Sequence, residues 1–196
     1  MSQVTPSIEY SSWSEWRPKD YLAEYYADIM PDEQYAMSFL PESLEKLPEV
    51  PIALDYGCGP TVHHAIALIP KAKKIHVTDY LPENLADVRR WLSNSEDAYD
   101  WKTFTRHILQ IEGNASPSDE DINRREQDAR ERITTLMPSD AGDNDPLGPD
   151  MRGHFPLVTT HYCAEGATSN KNTWTIYMRN ISSLVSPGGS LIVSAC

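Results

Sequence analysis

Two short segments carry the residue types of a nucleoside-binding site. The first, Leu54-Asp55-Tyr56-Gly57-Cys58-Gly59, ends an apolar stretch with two glycines, which permit a tight turn and let a ligand approach bare backbone. The second is Asp79, 20 residues beyond Gly59, where a carboxylate can accept hydrogen bonds from ribose hydroxyls. A GxG alone is often only a turn, and Asp79 alone could be a helix cap ahead of Pro82. At this spacing the pair favours ribose binding.

The residues after the glycines distinguish two classes of cofactor. A dinucleotide fingerprint has a third glycine, and Pro60-Thr61 stand in its place here. A pyrophosphate is best received on a glycine-rich helix N-terminus, whereas S-adenosylmethionine carries no phosphate. The departure therefore favours the methyl donor over NAD. Cys58 lies inside the turn with no defined base, so we do not expect a covalent mechanism through its thiol.

Strands and helices alternate around these segments. Apolar strands are predicted at 52–56, 74–78, 133–137, 157–162 and 190–194. Seven helices are predicted. The first four lie near 20–29, within 31–50 (a short one), from Val62 to a stop at Pro70, and from Pro82. The other three start at Asp100, cover 116–132, and have an inner face from Trp174 to Val185. The charged segment 116–132 has helix-start signals at Ser118 and Asp121, with disorder as the alternative. This alternation predicts an α/β, Rossmann-like domain with a mostly parallel sheet and helices on both faces.

Composition excludes several other classes of protein. The chain has 196 residues, enough for one domain, and its net charge of −12 without a basic stripe argues against nucleic acid. Trp13 and Trp16 interrupt the apolar run that a signal peptide needs, and no stretch approaches the roughly 20 apolar residues of a membrane span. Cys58, Cys163 and Cys196 lack CxxC spacing, so we expect no disulfide framework and no metal. We expect a cytoplasmic monomer or weak homo-oligomer.

Segments along nearly the whole chain resemble the family of nicotinamide, phenylethanolamine and thioether methyltransferases, which are class I S-adenosylmethionine-dependent enzymes. The matching stretches are 18–22, Tyr25-Tyr26, 55–61, 77–80, Asn84-Leu85, Trp91-Leu92, 97–101, 111–113, 146–148, Arg179-Asn180 and 186–189. The resemblance implies a helical lid over 1–50, a cofactor-binding core over 51–196, and methyl transfer to a nitrogen of a small amine or azaheterocycle. The chain stops at its fifth strand, so the family's last C-terminal strands are expected to be lacking.

The resemblance also implies a set of cofactor-binding residues: Tyr21, Tyr26, Gly57, Cys58, Gly59, Thr61, His63, Asp79, Tyr80, Asn84, Asp140, Ala141 and His161. In this set the two lid tyrosines would close over the sulfonium, which aromatic faces attract. The glycines would face the amino-acid portion of the cofactor, Asp79 the ribose, Asn84 the adenosine, and Asp140-Ala141 the adenine. His63 stands where the family usually has tyrosine. A purely structural role is the alternative for the lid tyrosines and for both histidines.

For the methyl acceptor, the resemblance points to Glu165, in Tyr162-Cys163-Ala164-Glu165, as an acid that holds the amine or accepts its proton. An exposed loop acid is the alternative. Ala195 stands where the nicotinamide enzyme has an acceptor-binding aspartate, so nicotinamide itself is not expected. The alternatives for the whole chain are an O- or S-methyltransferase on the same fold and a truncated or inactive cofactor-binding domain. An NAD-linked oxidoreductase is a more distant one.

Overall fold

A computed structural model describes residues 15–195 and contains one five-stranded sheet, in which all neighbouring strands are parallel. The strands are β1 (Ala53–Tyr56), β2 (Ile75–Asp79), β3 (Ile133–Pro138), β4 (Phe155–His161) and β5 (Val185–Ser194). Their order in the sheet is β3-β2-β1-β4-β5. The chain therefore builds outward from β1 on one side and then crosses to β4, which makes the β1/β4 boundary the switch point where such sheets bind ligands. The predicted Rossmann-like α/β class is confirmed.

Eight helices of the described residues surround the sheet: α1 (Pro18–Tyr25), α2 (Pro31–Glu45), α3 (His63–Ala67), α4 (Pro82–Leu92), α5 (Lys102–Ile111), α6 (Asp119–Arg132), α7 (Ala164–Ala167) and α8 (Lys171–Ser182). A 3₁₀ turn, Pro149–Met151, precedes β4. The charged segment is a helix, because Ser118 and Asp121 form a reciprocal capping box at its start. The Asp100 carboxylate likewise accepts the first N–H of α5, from Lys102, at 3.0 Å.

The alternation of side chains along β1 divides the core into two clusters. Ala53 packs in the larger cluster, with residues of α1 to α6, whereas Leu54 and Tyr56 pack on the opposite face beside Ile181 and Leu184. All four β1 side chains are buried. Helical segments therefore cover both faces, and β1 lies at the centre of the molecule.

Helix α7 was not predicted from the sequence, and three other elements differ from the sequence prediction. Helix α2 has 15 residues, not the short helix expected. Helix α3 has five residues, all buried, where an amphipathic helix running to Ile69 was predicted. Because α3 lies between the sheet and the N-terminal helices, none of its five residues faces solvent, and it lacks the polar face of an amphipathic helix. Val185 begins β5 and does not continue α8, and residues 186–189 bulge out of the sheet, because the β4–β5 register passes from Phe155–Val185 directly to Leu157–Ser190.

Residues 1–14 and 196 lie outside the described residues, as do Trp13, Cys196 and the first part of the expected 1–50 lid. No helix within 15–195 is both long and apolar enough to cross a membrane.

Candidate functional site

A cleft of about 510 Å³ lies at the carboxyl ends of the central strands, at the switch point of the sheet. Its volume is within the range of small-molecule sites. All but one of the predicted cofactor residues line it: Tyr21, Tyr26, Gly57, Cys58, Gly59, Thr61, Asp79, Tyr80, Asn84, Asp140, Ala141 and His161. These residues come from five separate segments of the chain. Four of the segments meet because they follow parallel strands that end at one edge of the sheet, and the fifth is the α1 region.

The glycine turn after β1 is fixed by the end of β2. The backbone N–H groups of Gly57 and Cys58 both donate to the Thr78 carbonyl, at 2.8 and 2.9 Å. Gly57 and Gly59 have φ angles of +70° and +62°, a region that residues with a Cβ rarely adopt. A Cβ on Gly57 would lie 2.2 Å from the Cys163 Sγ, whereas one on Gly59 would meet nothing within 4 Å. Gly57 therefore permits close packing of the cleft wall, and Gly59 presents bare backbone to the open cleft.

Thr61 and Cys58 stabilise this turn from inside. The Thr61 hydroxyl donates to the Cys58 carbonyl at 2.7 Å, and the Cys58 thiol lies 2.9 Å from the Gly59 carbonyl. Burial, with the nearby Asp79 carboxylate, raises the pKa of the Cys58 thiol well above its usual value. The same two causes raise the pKa of Cys163 to about 12. Both sulfurs stay protonated thiols at neutral pH, which makes them poor nucleophiles.

Asp79 organises the centre of the cleft. One carboxylate oxygen accepts the Gly59 N–H at 2.8 Å, and the other accepts the Leu81 N–H at 2.8 Å and the Asn84 side-chain amide at 2.9 Å. The Leu81 bond is the local turn expected of a residue ahead of Pro82, so Asp79 makes the capping contact, and ribose binding stays a prediction. A carboxylate offers about four acceptor positions, so one remains for a ligand hydroxyl. Burial raises the pKa of Asp79, and these N–H donors partly oppose the rise.

Aromatic side chains close the cleft on the side of α1. The Tyr21 ring lies 4.7 Å from the Trp16 ring and 5.6 Å from the Tyr26 ring, measured between centroids. The Trp16 indole N–H donates to the Asn84 side-chain oxygen at 2.7 Å, which joins this side of the cleft to Asp79. Burial raises the pKa of Tyr21 to about 12, so its phenol is neutral at physiological pH. Neutral rings packed in this way suit a cationic ligand.

The loop after β3 forms the opposite wall. Asp140 accepts the Gly142 N–H through its carboxylate at 2.7 Å, and its own N–H points to the Pro146 carbonyl at 3.4 Å. The Asn180 amide donates to the Ala141 carbonyl at 2.8 Å and anchors the loop to α8. Asp140 and Ala141 are thereby held in the cleft, where the adenine was expected.

The two predicted histidines lie in different places. His63 does not line the cleft: its side chain is fully buried and stacks on Trp101 at 5.1 Å between ring centroids. His64 lines the cleft instead, and its ring stacks 3.7 Å from that of His161. Helix α3 begins at His63 and turns that ring toward α5, which separates it from the open space. The structure therefore does not bring His63 into the cleft, where a direct contact with the cofactor was expected.

His161 remains in the cleft wall. Its Nδ1 lies 2.9 Å from the Ser194 hydroxyl, and its Nε2 is buried without a hydrogen-bond partner among the described residues. Burial, and then the neighbouring His64, lower the pKa of His161 well below its usual value. His161 is therefore a neutral imidazole with one polar atom left for a ligand.

Glu165 does not line the cleft. It lies on α7 between the lining residues Cys163 and Gly166, and one of its carboxylate oxygens is buried without a hydrogen-bond partner within residues 15–195. The predicted acceptor residue is thus beside the cleft, with unused hydrogen-bonding capacity.

Several lining residues were not predicted from the sequence. They are Trp16, Tyr56, Leu81, Ser139, Gly142, Tyr162, Cys163, Gly166, Ala167 and Tyr177, with His64 in place of its neighbour. Most directly adjoin predicted residues, so extending each segment by one position would have found them. Tyr177 had no such signal, because α8 brings it to the cleft from a distant part of the chain.

The charges of the cleft distinguish the two candidate cofactors. In the described part of the chain no Lys or Arg lines it, while Asp79, Asp140 and six tyrosines do. A dinucleotide pyrophosphate would find no cationic partner here, whereas a sulfonium would meet carboxylates and aromatic faces. The glycine backbone, the spare acceptor of Asp79 and the neutral His161 therefore fit S-adenosylmethionine.

Comparison with known proteins identifies relatives of the same kind. Indolethylamine N-methyltransferase of Mus musculus is 30% identical over 188 residues, which cover 91% of this chain and 69% of the relative. Nicotinamide N-methyltransferase of Homo sapiens is 27% identical, covering 92% and 69%. Phenylethanolamine N-methyltransferase of Bos taurus is 25% identical, covering 93% and 67%. The chain spans about two thirds of the length of these curated relatives.

Solved structures share the fold. A glycopeptide N-methyltransferase in complex with S-adenosylmethionine matches with a TM-score of 0.53 and 16% identity, over 86% of this chain and 55% of the other. The N-methyltransferase NodS of Bradyrhizobium japonicum, in complex with S-adenosylhomocysteine, matches with a TM-score of 0.51 and 15% identity, over 90% and 69%. The sequence model of the NNMT/PNMT/TEMT family matches residues 4–196. The fold, the cleft lined without Lys or Arg in the described residues, and this match agree, and the chain belongs to the NNMT/PNMT/TEMT family of S-adenosylmethionine-dependent methyltransferases.

Proposed function

We propose that this protein transfers the methyl group of S-adenosylmethionine to a nitrogen of a small amine or azaheterocycle. The observation that carries the proposal is the cleft itself, which joins a bare glycine backbone, a carboxylate with a spare acceptor position and a wall of tyrosines without a cation. The indolethylamine, nicotinamide and phenylethanolamine enzymes among its relatives are named as N-methyltransferases, which supports nitrogen as the acceptor atom.

The cofactor supplies an activated methyl group on a sulfonium that is already a good leaving centre. The protein's contribution is then binding, orientation and exclusion of water. In this proposal Asp79 accepts from the ribose, Gly59 lies along the amino-acid portion, and Asp140 and Ala141 contact the adenine. Trp16, Tyr21 and Tyr26 cover the cofactor as the lid expected from the sequence. His64, not His63, faces the cofactor from α3.

Glu165 is the proposed acceptor residue. Its unpartnered carboxylate oxygen lies on α7, two residues after the lining residue Cys163, and an amine entering from that side would satisfy it. A carboxylate there holds a protonated amine or accepts its proton through water. Glu165→Gln keeps the shape and removes the charge. We expect it to lower kcat/KM for the amine while the affinity for S-adenosylhomocysteine stays unchanged.

The test is methyl transfer from isotopically labelled S-adenosylmethionine to a panel of small amines and azaheterocycles, run beside matched alcohols and thiols. Transfer to at least one nitrogen acceptor, lost on Asp79→Ala, is the expected result. Transfer only to oxygen or sulfur would move the chain to the alternative methyltransferase class. Tight binding of S-adenosylhomocysteine with no transfer to any acceptor would make this chain a binding domain.

Two finer expectations belong to this proposal. The cysteines Cys58 and Cys163 are both unpaired, which supports a reducing compartment such as the cytoplasm. The proposed substrate is a small molecule, with the protein acting as a monomer or weak homo-oligomer. Sedimentation of the purified protein over a range of concentrations tests the latter.

A further inference from the structure

Three buried side chains with metal-binding groups converge behind the wall of the cleft. They are Glu33 on α2 and His63 and His64 at the start of α3. The Nε2 of His63 lies 2.7 Å from the Glu33 Oε1, and the Nε2 of His64 lies 3.3 Å from the same oxygen. Their possible ligand atoms all lie within 4.8 Å of one another. One carboxylate oxygen and two imidazole nitrogens therefore share one small buried space.

Among the described residues, only imidazoles are available to compensate the buried Glu33 carboxylate. Within residues 15–195 no Lys or Arg side chain is buried, yet five acids are. Three of these have partners: Asp79 has N–H donors, Asp87 has Arg90 on one of its two oxygens, and Glu126 has Arg130. Glu33 has only the two imidazoles, and the neighbouring Asp55 has one oxygen without any partner. A buried carboxylate is costly unless a positive charge compensates it.

His64 provides a second, independent observation. Its side chain is 6% exposed, and its Nε2 approaches Glu33 without the geometry of a hydrogen bond, so this nitrogen has no hydrogen-bond partner among the described residues. A buried nitrogen aimed at a carboxylate but not bonded to it leaves room for an atom that binds both.

We propose that Glu33, His63 and His64 bind one divalent transition-metal ion of the zinc class. Zinc binds imidazole nitrogen and carboxylate oxygen at about 2.0–2.2 Å, which places tetrahedral ligand atoms about 3.3 Å apart. The His64–Glu33 distance of 3.3 Å already meets this separation. The His63–Glu33 distance of 2.7 Å has to open by roughly 0.6 Å, a side-chain adjustment. Three protein ligands leave a fourth position, and His64 is the ligand that lines the cleft.

The same contacts predict the strength and selectivity of the site. The Nδ1 of His63 is buried without a hydrogen-bond partner among the described residues, so this ligand lacks the acceptor that usually orients a metal-bound histidine. We therefore expect affinity about 10- to 100-fold weaker than that of a site with complete outer contacts. Two imidazoles favour zinc, cobalt, nickel or copper over magnesium and calcium, which prefer oxygen ligands.

The test uses the whole chain, stripped with a chelator and then titrated with Zn²⁺ by calorimetry and with Co²⁺ by visible absorption. We expect one ion per chain, no comparable binding of Mg²⁺, and cobalt absorption typical of a tetrahedral site. Glu33→Gln, His63→Phe and His64→Gln should each weaken Zn²⁺ binding by at least roughly 100-fold, because loss of an outer contact alone costs 10- to 100-fold. Glu126→Gln is the matched control, a buried carboxylate on α6 paired with Arg130, and should bind the ion normally.

The wild-type titration decides the proposal even if a variant fails to fold. Absence of stoichiometric Zn²⁺ and Co²⁺ binding to the stripped, folded chain overturns it, as does undiminished binding by the folded ligand variants. Binding of S-adenosylhomocysteine, measured on the same samples, reports separately on the proposed methyltransferase function. Loss of one property with retention of the other shows which of the two inferences is wrong.

Discussion

Replacing Asp79 by alanine is the most informative single perturbation of the cofactor site. The substitution removes the acceptor of two backbone N–H groups, of Gly59 and Leu81, and of the Asn84 amide, all within 2.9 Å. Leaving buried donors unsatisfied costs about 1–3 kcal/mol, and the adjacent open cleft lets water recover part of it. We expect the free energy of unfolding to fall by about 1–3 kcal/mol.

The same substitution should weaken binding of S-adenosylhomocysteine. Loss of the acceptor for a ribose hydroxyl costs about 1–3 kcal/mol, which is roughly a 5- to 150-fold rise in Kd. Asp79→Asn keeps the volume and one accepting oxygen, but its NH₂ group turns a donor toward other donors. It should therefore be more stable than Asp79→Ala yet bind the ligand similarly weakly.

Calorimetry with S-adenosylhomocysteine and urea unfolding together measure both effects. Asp87→Asn is the matched control, because Asp87 is a buried acid on α4 that pairs with Arg90 outside the cleft. It should lose stability without losing affinity. Equal affinity of folded wild-type protein and Asp79→Ala would refute the assignment of this carboxylate to the ribose.

Three further outcomes follow from the geometry. Tyr21→Ala should weaken binding of the cationic S-adenosylmethionine more than that of neutral S-adenosylhomocysteine, by about 0.5–2 kcal/mol, whereas Tyr21→Phe should not, as calorimetry with both ligands would show. Gly57→Ala should destabilise the fold by about 1–3 kcal/mol in urea, because its Cβ would lie 2.2 Å from the Cys163 Sγ, and Cys163→Gly in the same chain should restore part of the loss. Burial raises the pKa of Asp55 from 3.8 to about 6, despite the opposing influence of His64. The folded state therefore holds this proton more tightly than the unfolded state, and stability should fall by about 3 kcal/mol as pH rises from below 3.8 through 6. Asp55→Asn should abolish that decline in urea unfolding measured at several pH values in the presence of a chelator.

The parts of the site that the sequence predicted are those whose signal is local. Gly57, Gly59 and Asp79 occupy the ends of β1 and β2, and the apolar runs before them mark these strands without reference to the rest of the chain. Ser118 and Asp121 similarly carry their own capping partners. Such residues can be placed because parallel strands necessarily end at the same edge of the sheet.

The parts that the sequence could not predict depend on packing between distant elements. His63 and His64 are adjacent in sequence, and only the burial of α3 between sheet and lid helices decides which ring reaches the cleft. Glu33 precedes His63 by 30 residues, so its approach to both imidazoles has no signal in spacing. The expectation of no metal rested on cysteine spacing, which says nothing about the proposed site of one carboxylate and two imidazoles.

The hydrogen bonds of the cleft show why its lid and its glycine turn act together. Trp16 donates to Asn84 at 2.7 Å, Asn84 donates to Asp79 at 2.9 Å, and the Gly59 N–H completes the series at 2.8 Å. Trp16, Asn84 and Asp79 all line the cleft, and each is held in place by a hydrogen bond to the next. Asn84 is the one link that needs both a donor and an acceptor. A carboxylate at position 84 would still accept from the tryptophan but would face Asp79 with a like charge, so the lid contact could persist while the ribose acceptor is disturbed.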